Sequence, residues 1–286
     1  MRSSLSLALL AGSALLLPAC ASTQRARSAE PIAVISLEPW RTRWALTAVV
    51  GGVPRRYLFD TGGGLSSVSA ATAAAAGCTP WGRVTGFNMF GRRGDSPRCD
   101  GLAFEIGGRR YAPAVTGLID MAKLNPRDSA LDGIAALDLF ADRAITLDLA
   151  AGRIVVESEA SLAERVRGMT PLPIRTNREA SGSTISVLAG VPSERGTLWM
   201  ELDSGNGGTI LVSKPVASLV GLDSAVAGKQ RADFAVAPGV RVRSDDGYTP
   251  DMTMDGKLGM PFLRHWLVTL DLRNGRAWIG PVGGLR

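Results

Sequence analysis

The chain has 286 residues, of which 45% are hydrophobic and 20% charged, a composition typical of a globular protein that buries a substantial core. Aromatic residues are scarce and glycine and proline are plentiful, which favours many short strands joined by turns over a helical bundle. The net charge is +6, but the basic residues are scattered, which argues against nucleic-acid binding and fits a mild attraction to anionic lipid or cell-wall polymer. A single histidine excludes metal sites built on several histidines.

Residues 1–19 have the features of an export signal. Arg2 supplies a positive charge, and residues 5–17 form an apolar stretch that is too short to span a bilayer. The following small residues resemble the lipobox of bacterial lipoproteins, which ends at Cys20. This resemblance implies that Cys20 is lipidated and becomes the new N-terminus. An ordinary signal peptide followed by a chance cysteine is the alternative.

The predicted anchor implies a location at the periplasmic face of the bacterial envelope. No aspartate follows Cys20. By resemblance to the usual sorting rule, this favours the outer membrane over the inner one. Residues 20–31 are polar and small, and we expect them to form a tether between the anchor and the folded body.

An internal repeat organises the rest of the sequence. Asp60-Thr61-Gly62 and Asp203-Ser204-Gly205 each follow an apolar run and precede a short apolar run, a short helix and a glycine. Behind each of them comes a second module, an Asp-Gly pair followed by Thr-Leu-Asp-Leu, which starts at Asp132 and again at Asp255. The Asp-Gly pair and the Thr-Leu-Asp-Leu run are separated by the same number of residues in both copies. Chance would seldom preserve that spacing.

The repeat predicts a division of the chain into two copies. We expect an N-terminal lobe over residues 32–160, a linker over 161–181 and a C-terminal lobe over 182–286. The first copy carries about twenty extra residues before its Asp-Gly module, which we place near residues 82–101, a stretch rich in glycine.

The two Asp-hydroxyl-Gly turns predict a pair of carboxylates. An apolar strand would deliver Asp60 or Asp203 to the end of a sheet, and the glycine behind it would allow close approach of the backbone. Two neighbouring carboxylates share one proton, so that the ionised one can activate a water while the protonated one polarises a peptide carbonyl. The hydroxyls of Thr61 and Ser204 could tie the two turns together.

These motifs resemble the catalytic signature of the pepsin/retropepsin superfamily of aspartic proteases, and the resemblance covers both copies. It implies an all-β fold of two similar lobes related by a pseudo-twofold axis, with a central cleft. It also implies an endopeptidase that uses Asp60 and Asp203 as catalytic residues, supported by Thr61, Gly62, Ser204 and Gly205. Water is then the nucleophile, so no metal or organic cofactor is implied. The expected partner is a peptide or protein substrate, and the expected state is a monomer.

The two remaining cysteines, Cys78 and Cys99, predict one disulfide, because an even pair in an exported protein is usually oxidised. Two free buried thiols are the alternative. In two-lobed members of the resembled family a flap belongs to the first lobe, so residues 82–101 could form a flap hairpin pinned by this disulfide. A plain surface insertion remains equally open.

The sequence departs from the family pattern at several positions, and two of these departures, at Ala136 and Lys257, favour a second hypothesis. Ala136 stands where a glycine is expected, Lys257 where an apolar residue is usual, and Gly63 lacks the hydroxyl that relatives commonly carry. The missing hydroxyl predicts a raised pKa of the carboxylate pair. The alternative to an endopeptidase is therefore a catalytically inactive peptide-binding lipoprotein on the same fold.

Overall fold

A computed structural model describes residues 29–283, and in this part of the chain strands predominate over helices. The predicted all-β class is confirmed. The strands, in chain order, are β1 (Ala33–Ser36), β2 (Glu38–Trp40), β3 (Arg43–Val50), β4 (Val53–Phe59), β5 (Ser67–Val68), β6 (Trp81–Phe87), β7 (Arg93–Asp100), β8 (Phe104–Ile106), β9 (Arg109–Tyr111), β10 (Val115–Leu118), β11 (Gly133–Ala135), β12 (Ala144–Asp148), β13 (Arg153–Glu157), β14 (Thr170–Pro171), β15 (Ile174–Asn177), β16 (Ser186–Ser193), β17 (Gly196–Leu202), β18 (Ile210–Val212), β19 (Gln230–Ala237), β20 (Val240–Tyr248), β21 (Gly256–Leu258), β22 (Trp266–Asp271) and β23 (Arg276–Pro281).

The helices are short and lie between strands. They are α1 (Ala70–Ala75), α2 (Met121–Leu124), α3 (Glu159–Arg165) and α4 (Met260–Leu263). Short 3₁₀ helices cover Pro126–Asp128, Leu137–Phe140, Ala180–Gly182 and Lys214–Val220. Between residues 29 and 283, no helix combines the length and the apolar character that crossing a bilayer requires.

Three sheets contain these strands. A ten-stranded sheet has the order β6-β7-β10-β5-β11-β4-β3-β8-β9, with β2 paired to β3, and a seven-stranded sheet has the order β15-β16-β17-β21-β18-β20-β19. A six-stranded sheet has the order β1-β13-β12-β22-β23-β14, so that strands distant in sequence lie side by side. At its centre, where β12 meets β22, the hydroxyls of Thr146 and Thr269 lie 2.9 Å apart and both side chains are fully buried.

The repeated sequence forms repeated local structure. In the first copy β4 leads into Asp60, and β5, α1 and a glycine follow. In the second copy β17 leads into Asp203, and β18, a 3₁₀ helix and a glycine follow. The strand before each aspartate pairs in parallel with the strand of the downstream module, β4 with β11 and β17 with β21. The predicted order of elements around each aspartate is thus confirmed.

The extra residues of the first copy form a β-hairpin. Strands β6 and β7 pair antiparallel, with Phe87 opposite Arg93 next to the turn. The predicted disulfide is confirmed: Cys78 and Cys99 are bonded, with their Cα atoms 6.1 Å apart. The bond joins the chain just before β6 to a residue near the end of β7, and it therefore closes the base of the hairpin.

The segment predicted as a linker contains regular structure. Its first part is helical in α3, β14 adds an edge strand to the six-stranded sheet, and β15 adds an edge strand to the seven-stranded one. Pro171 lies inside β14. A proline is tolerated there because an edge strand has a side on which no ladder hydrogen bond is required.

Candidate functional site

Reciprocal hydrogen bonds join the two Asp-hydroxyl-Gly turns. The Thr61 N–H donates to Ser204 Oγ, and the Ser204 N–H donates to Thr61 Oγ1, each at 3.0 Å. The hydroxyls donate onward into the opposite strand, from Thr61 to the Leu202 carbonyl at 2.6 Å and from Ser204 to the Phe59 carbonyl at 3.0 Å. Both side chains are fully buried. The structure therefore brings together the two turns that lie 143 positions apart in the sequence.

Each aspartate packs against the glycine of the other turn. A Cβ added at Gly62 would lie 2.7 Å from the Asp203 carboxyl carbon, and one added at Gly205 would overlap the carboxyl group of Asp60. Glycine is required at both positions because any side chain would displace the facing carboxyl group. The predicted residues Asp60, Gly62, Asp203 and Gly205 thus form one compact site.

A lysine ammonium neutralises one member of the pair. Lys257 Nζ lies 2.8 Å from Asp203 Oδ2 and 2.6 Å from Glu201 Oε2. Asp203 and Glu201 are buried, and only 12% of the Lys257 side chain is exposed. Solvent screens an ion pair in such a setting only weakly. The attraction therefore holds the ammonium beside the two carboxylates.

Strand register explains why Lys257 reaches both carboxylates. Lys257 lies directly opposite Glu201 in the parallel pairing of β21 with β17. Side chains two apart on a strand share a face, so Glu201 and Asp203 point to the same side. In the first copy the equivalent cross-strand pair is Leu58 opposite Ile134, which is apolar. An ion pair in the second copy therefore replaces an apolar pair in the first.

Burial and charge shift the acid–base equilibria of the site. Burial of the Asp60 carboxyl, together with the neighbouring charge of Asp203, raises the pKa of Asp60 to about 7, although Lys257 opposes the shift. Burial alone would lower the pKa of the Lys257 ammonium, but Asp203 and Glu201 outweigh it, so the pKa is raised above its ordinary value. Burial is the main cause of the raised pKa at Asp60, so the effect predicted from the missing hydroxyl at Gly63 stays a prediction.

Hydrogen bonds to the two aspartates differ. Asp60 Oδ1 accepts from the Gly62 N–H at 2.9 Å, and Asp203 Oδ1 accepts from the Asn206 N–H at 3.0 Å. The side chain of Asn206 is engaged within its own turn, where its amide donates to the Thr209 carbonyl and its oxygen accepts from the Thr209 N–H and hydroxyl. Asn206 therefore shapes the turn and leaves Lys257 as the principal side-chain partner of Asp203.

Two buried acids of the site were not singled out by the sequence. Glu201 sits between apolar neighbours in a strand, and the alternation that turns it toward Asp203 was the available signal.

Asp138 accepts hydrogen bonds from the Ser66 N–H and hydroxyl, and the Ser66 Oγ in turn accepts from the Ala136 N–H. Burial raises the pKa of Asp138 to about 6. This chain of bonds supports the backbone at Ala136, where the sequence departs from the family pattern.

The hairpin covers the aspartate pair with its tip. The Met89 carbonyl accepts from the Thr253 N–H at 3.0 Å and from the Thr253 hydroxyl at 3.2 Å. Beneath the tip, a cavity of about 320 Å³ is lined by Asp60, Gly62, Met89, Asp203, Gly205, Asn206, Thr209, Leu211 and Lys257. A second cavity of about 560 Å³ shares Met89, Thr209 and Leu211 with the first. It adds Phe90, Lys214, Ser224, Ala225, Val226, Ala227, Tyr248, Thr249, Pro250 and Asp251, so its lining is more apolar.

Some predicted residues lie elsewhere. Cys20, the predicted lipidation site, is outside the described residues. Cys78 and Cys99 form the disulfide at the hairpin base, away from the cavity lining. Over residues 29–283 the structure contains no group of three or more His, Cys, Asp or Glu side chains arranged to hold a metal ion.

Comparisons with solved structures find the same fold in other proteins, two of which are basic 7S globulins. A basic 7S globulin from soybean is 10% identical with a TM-score of 0.58, covering 87% of this chain and 94% of the globulin. A protein described as edgp is 12% identical with a TM-score of 0.54, covering 86% and 94%. Conglutin gamma, a basic 7S globulin from lupine seeds, is 11% identical with a TM-score of 0.52, covering 87% and 94%. The chain shares the fold of these proteins. No family model matches the sequence, and no curated protein is similar to it.

These findings correct two predictions. The assignment to the pepsin/retropepsin family of aspartic proteases is wrong, because no family model matches and the similar structures are described as globulins. The predicted endopeptidase is wrong for the same reason. One of the two carboxylates, that of Asp203, is paired with the Lys257 ammonium.

Proposed function

We propose that the chain is a non-catalytic peptide-binding protein whose cleft lies between two similar lobes related by a pseudo-twofold axis. The repeated parallel pairings and the reciprocal hydrogen bonds of Thr61 and Ser204 support this arrangement. The proposed lobes span residues 32–160 and 182–286, with residues 161–181 between them.

The ion pair of Lys257 is the observation that carries the proposal. Water activation by paired carboxylates needs one ionised carboxylate that is free to accept a proton. Asp203 is instead paired with an ammonium, and Asp60 holds its proton up to a pH of about 7. The site retains hydrogen-bonding groups and an open cavity but lacks a free base.

The two joined cavities fit an extended polypeptide. The cavity over Asp60 offers polar groups that can pair with a peptide backbone, and the adjoining one offers an apolar wall made in part by Phe90, Val226 and Tyr248. An extended chain can also pair with the edge of a hairpin as an added strand. We therefore expect the ligand to be a peptide that places an apolar side chain in the second cavity.

A binding measurement with a matched control tests this proposal. A diverse peptide library is incubated with the full-length protein from acid to mildly alkaline pH, and mass spectrometry measures both capture and cleavage. We expect capture without cleavage. Val226→Asp puts a charge into the apolar cavity and should weaken peptide binding by about tenfold or more. Val53→Asp is the control, because both valines are 39% exposed and Val53 lies outside the cavities.

Two results would contradict the proposal. Equal losses in both valine variants would show that the second cavity does not bind the peptide. Peptide cleavage that disappears in Asp60→Asn would show that the site is catalytic.

The envelope location also remains a proposal. Lipidation of Cys20 would anchor the protein to a membrane, with the body on the periplasmic side and the outer membrane favoured. Incorporation of a labelled fatty acid that is lost in Cys20→Ala is the expected result. We further propose that the protein is a monomer, which light scattering on the purified chain would test.

A further inference from the structure

A concave pocket lies outside the cleft, between β20 and α4. Its volume of about 400 Å³ falls in the range of small-molecule sites. Arginines of β20 and the only histidine of the chain form its polar wall, aromatic rings form the rest, and no carboxylate contributes. The lining residues are Gly239, Arg241, Arg243, Pro261, Phe262, His265 and Trp266.

The charge around this pocket is not balanced. Arg241 donates through Nε and Nη2 to Asp233, at 2.9 and 2.7 Å. Arg243 stands directly opposite Asp233 across the β19–β20 ladder, yet the carboxylate is engaged by Arg241. Between residues 29 and 283 the Arg243 guanidinium makes no hydrogen bond or close ion pair, although its charge helps to lower the pKa of Asp233. An exposed, fully charged group with five donors therefore borders the pocket without a hydrogen-bonded partner in this part of the protein.

A larger cavity makes an informative contrast. It measures about 760 Å³ and lies beside α3 and the six-stranded sheet. Its charged side chains bind one another or the backbone: Arg276 pairs with Asp271 at 2.7 Å, and Arg273 donates to the Asp142 carbonyl at 2.8 Å. Arg273 and Arg276 of that cavity are thus each engaged by the protein, whereas the Arg243 guanidinium at the smaller pocket on β20 has no such bond.

We propose that the pocket between β20 and α4 binds the phosphate group of a small phosphate ester. Arg243, the remaining Nη1 of Arg241 and the imidazole of His265 supply donors from three side chains. A phosphate presents three terminal oxygens and nearly two negative charges, whereas a carboxylate presents two oxygens and one charge. The ring of Trp266 is half-buried and lies 6.4 Å from that of the buried Phe262, and it offers an apolar surface to the carbon skeleton of the ester.

The single histidine allows a direct measurement. In a full-length chain without a histidine tag, the imidazole Cε1–H of His265 gives one resonance in a proton–carbon NMR spectrum. Inorganic phosphate and glucose 6-phosphate are titrated separately, with sodium chloride at matched ionic strength as the blank. A saturable shift with both phosphates, and none with chloride, is the expected result. A soluble short-chain phosphatidic acid in a third titration distinguishes a lipid headgroup from a sugar phosphate as the preferred source.

Paired arginine variants locate the site. Arg243→Gln should weaken phosphate binding by about tenfold or more, because it removes a charge-assisted contact. Arg231→Gln removes the same charge from an exposed position on the neighbouring strand β19, outside the pocket lining, and should change the affinity by no more than about twofold. Equal weakening in both variants would overturn the proposal in favour of diffuse attraction. An unmoved His265 resonance with all three phosphates would also overturn it.

Because this pocket shares no residue with the cleft, its test is independent of peptide binding.

Discussion

At the scale of single residues, Glu201 and Lys257 illustrate how one ion pair can occupy the place of an apolar contact. In the first copy Leu58 and Ile134 meet across the equivalent strands. In the second copy two charges are buried at that position and, with Asp203, form a group of two carboxylates around one ammonium. Burying charges costs free energy unless each has a partner, so the three side chains must be considered together.

This coupling predicts unequal effects of single and double substitutions. Lys257→Ile removes the only ammonium of the group and should lower the free energy of unfolding by about 3–5 kcal/mol, as expected when a buried pair is broken. Glu201→Leu combined with Lys257→Ile recreates the apolar pair of the first copy and should recover most of this loss. Denaturant unfolding of the wild type, of Glu201→Leu and Lys257→Ile alone and of the double variant measures the coupling, and additive losses would contradict it.

The raised pKa of Asp60 predicts a pH dependence of stability. An aspartate in an unfolded chain has a pKa of about 3.9, whereas that of Asp60 in the folded protein is about 7. Between these values the folded state holds a proton that the unfolded state has released, so the contribution of Asp60 to stability falls as the pH rises from about 4 to about 7.

Asp60→Asn should remove this part of the slope. We therefore expect the variant to gain stability relative to the wild type as the pH rises through that window, measured as the difference in unfolding free energy. Glu201 and Asp138 also have raised pKa values and remain in both proteins. A difference that stays constant with pH would contradict the assignment to Asp60.

At the scale of elements, the hairpin of β6 and β7 is held at both ends. The Cys78–Cys99 bond closes its base, and Thr253 binds the Met89 carbonyl at its tip. Three exposed aromatic residues, Trp81, Phe87 and Phe90, belong to this hairpin. Strand β7 also pairs with β10 near its end, so the disulfide and this pairing fix the base of the hairpin while the Thr253 contact fixes its tip.

Removing the disulfide should loosen this hairpin specifically. The bond closes a loop with a sequence separation of 21 residues, and chain-entropy arguments assign about 3 kcal/mol to a loop of that size. Cys78→Ser with Cys99→Ser should lower the stability by roughly this amount and speed amide exchange in β6 and β7 more than in the six-stranded sheet. Uniformly faster exchange over all sheets would contradict a local role.

The elements around each aspartate could be predicted because their signals are local. Apolar runs, the Asp-hydroxyl-Gly turns and the glycines behind the short helices all lie within a few residues of the structures that they specify. The pairing of Glu201 with Lys257 could not be predicted in this way, because it depends on the register of two parallel strands distant in sequence. The strand β14 was missed because Pro171 suggests a break unless the strand is known to lie at an edge.

At the scale of the whole molecule, the six-stranded sheet joins distant parts of the chain. Strands β1, β13 and β12 come from the first copy, and β22, β23 and β14 follow α3 in sequence. The sheet is continuous only because β12 pairs with β22, where Thr146 and Thr269 meet. Separating the two parts of the chain would expose the backbone N–H and C=O groups with which β12 and β22 now hydrogen-bond to each other.

A split chain tests this dependence. Fragments 29–167 and 168–283 divide the protein in the turn after α3, before β14. We expect each fragment alone to aggregate or to remain partly unfolded, and the two expressed together to form an equimolar complex with the circular dichroism spectrum of the intact chain. Two fragments that are each stable and monomeric would contradict the structural role of the shared sheet.

The trio of Glu201, Asp203 and Lys257 also bears on how the sequence could have changed over time. A lysine arriving first would have found Asp203 as a partner, whereas a glutamate arriving first would have been buried beside another carboxylate without an ammonium. The order lysine then glutamate is therefore the accessible one. Once both are present, loss of the lysine leaves two buried carboxylates without a cation. A single substitution at Lys257 is then destabilising, so the change is difficult to reverse in one step.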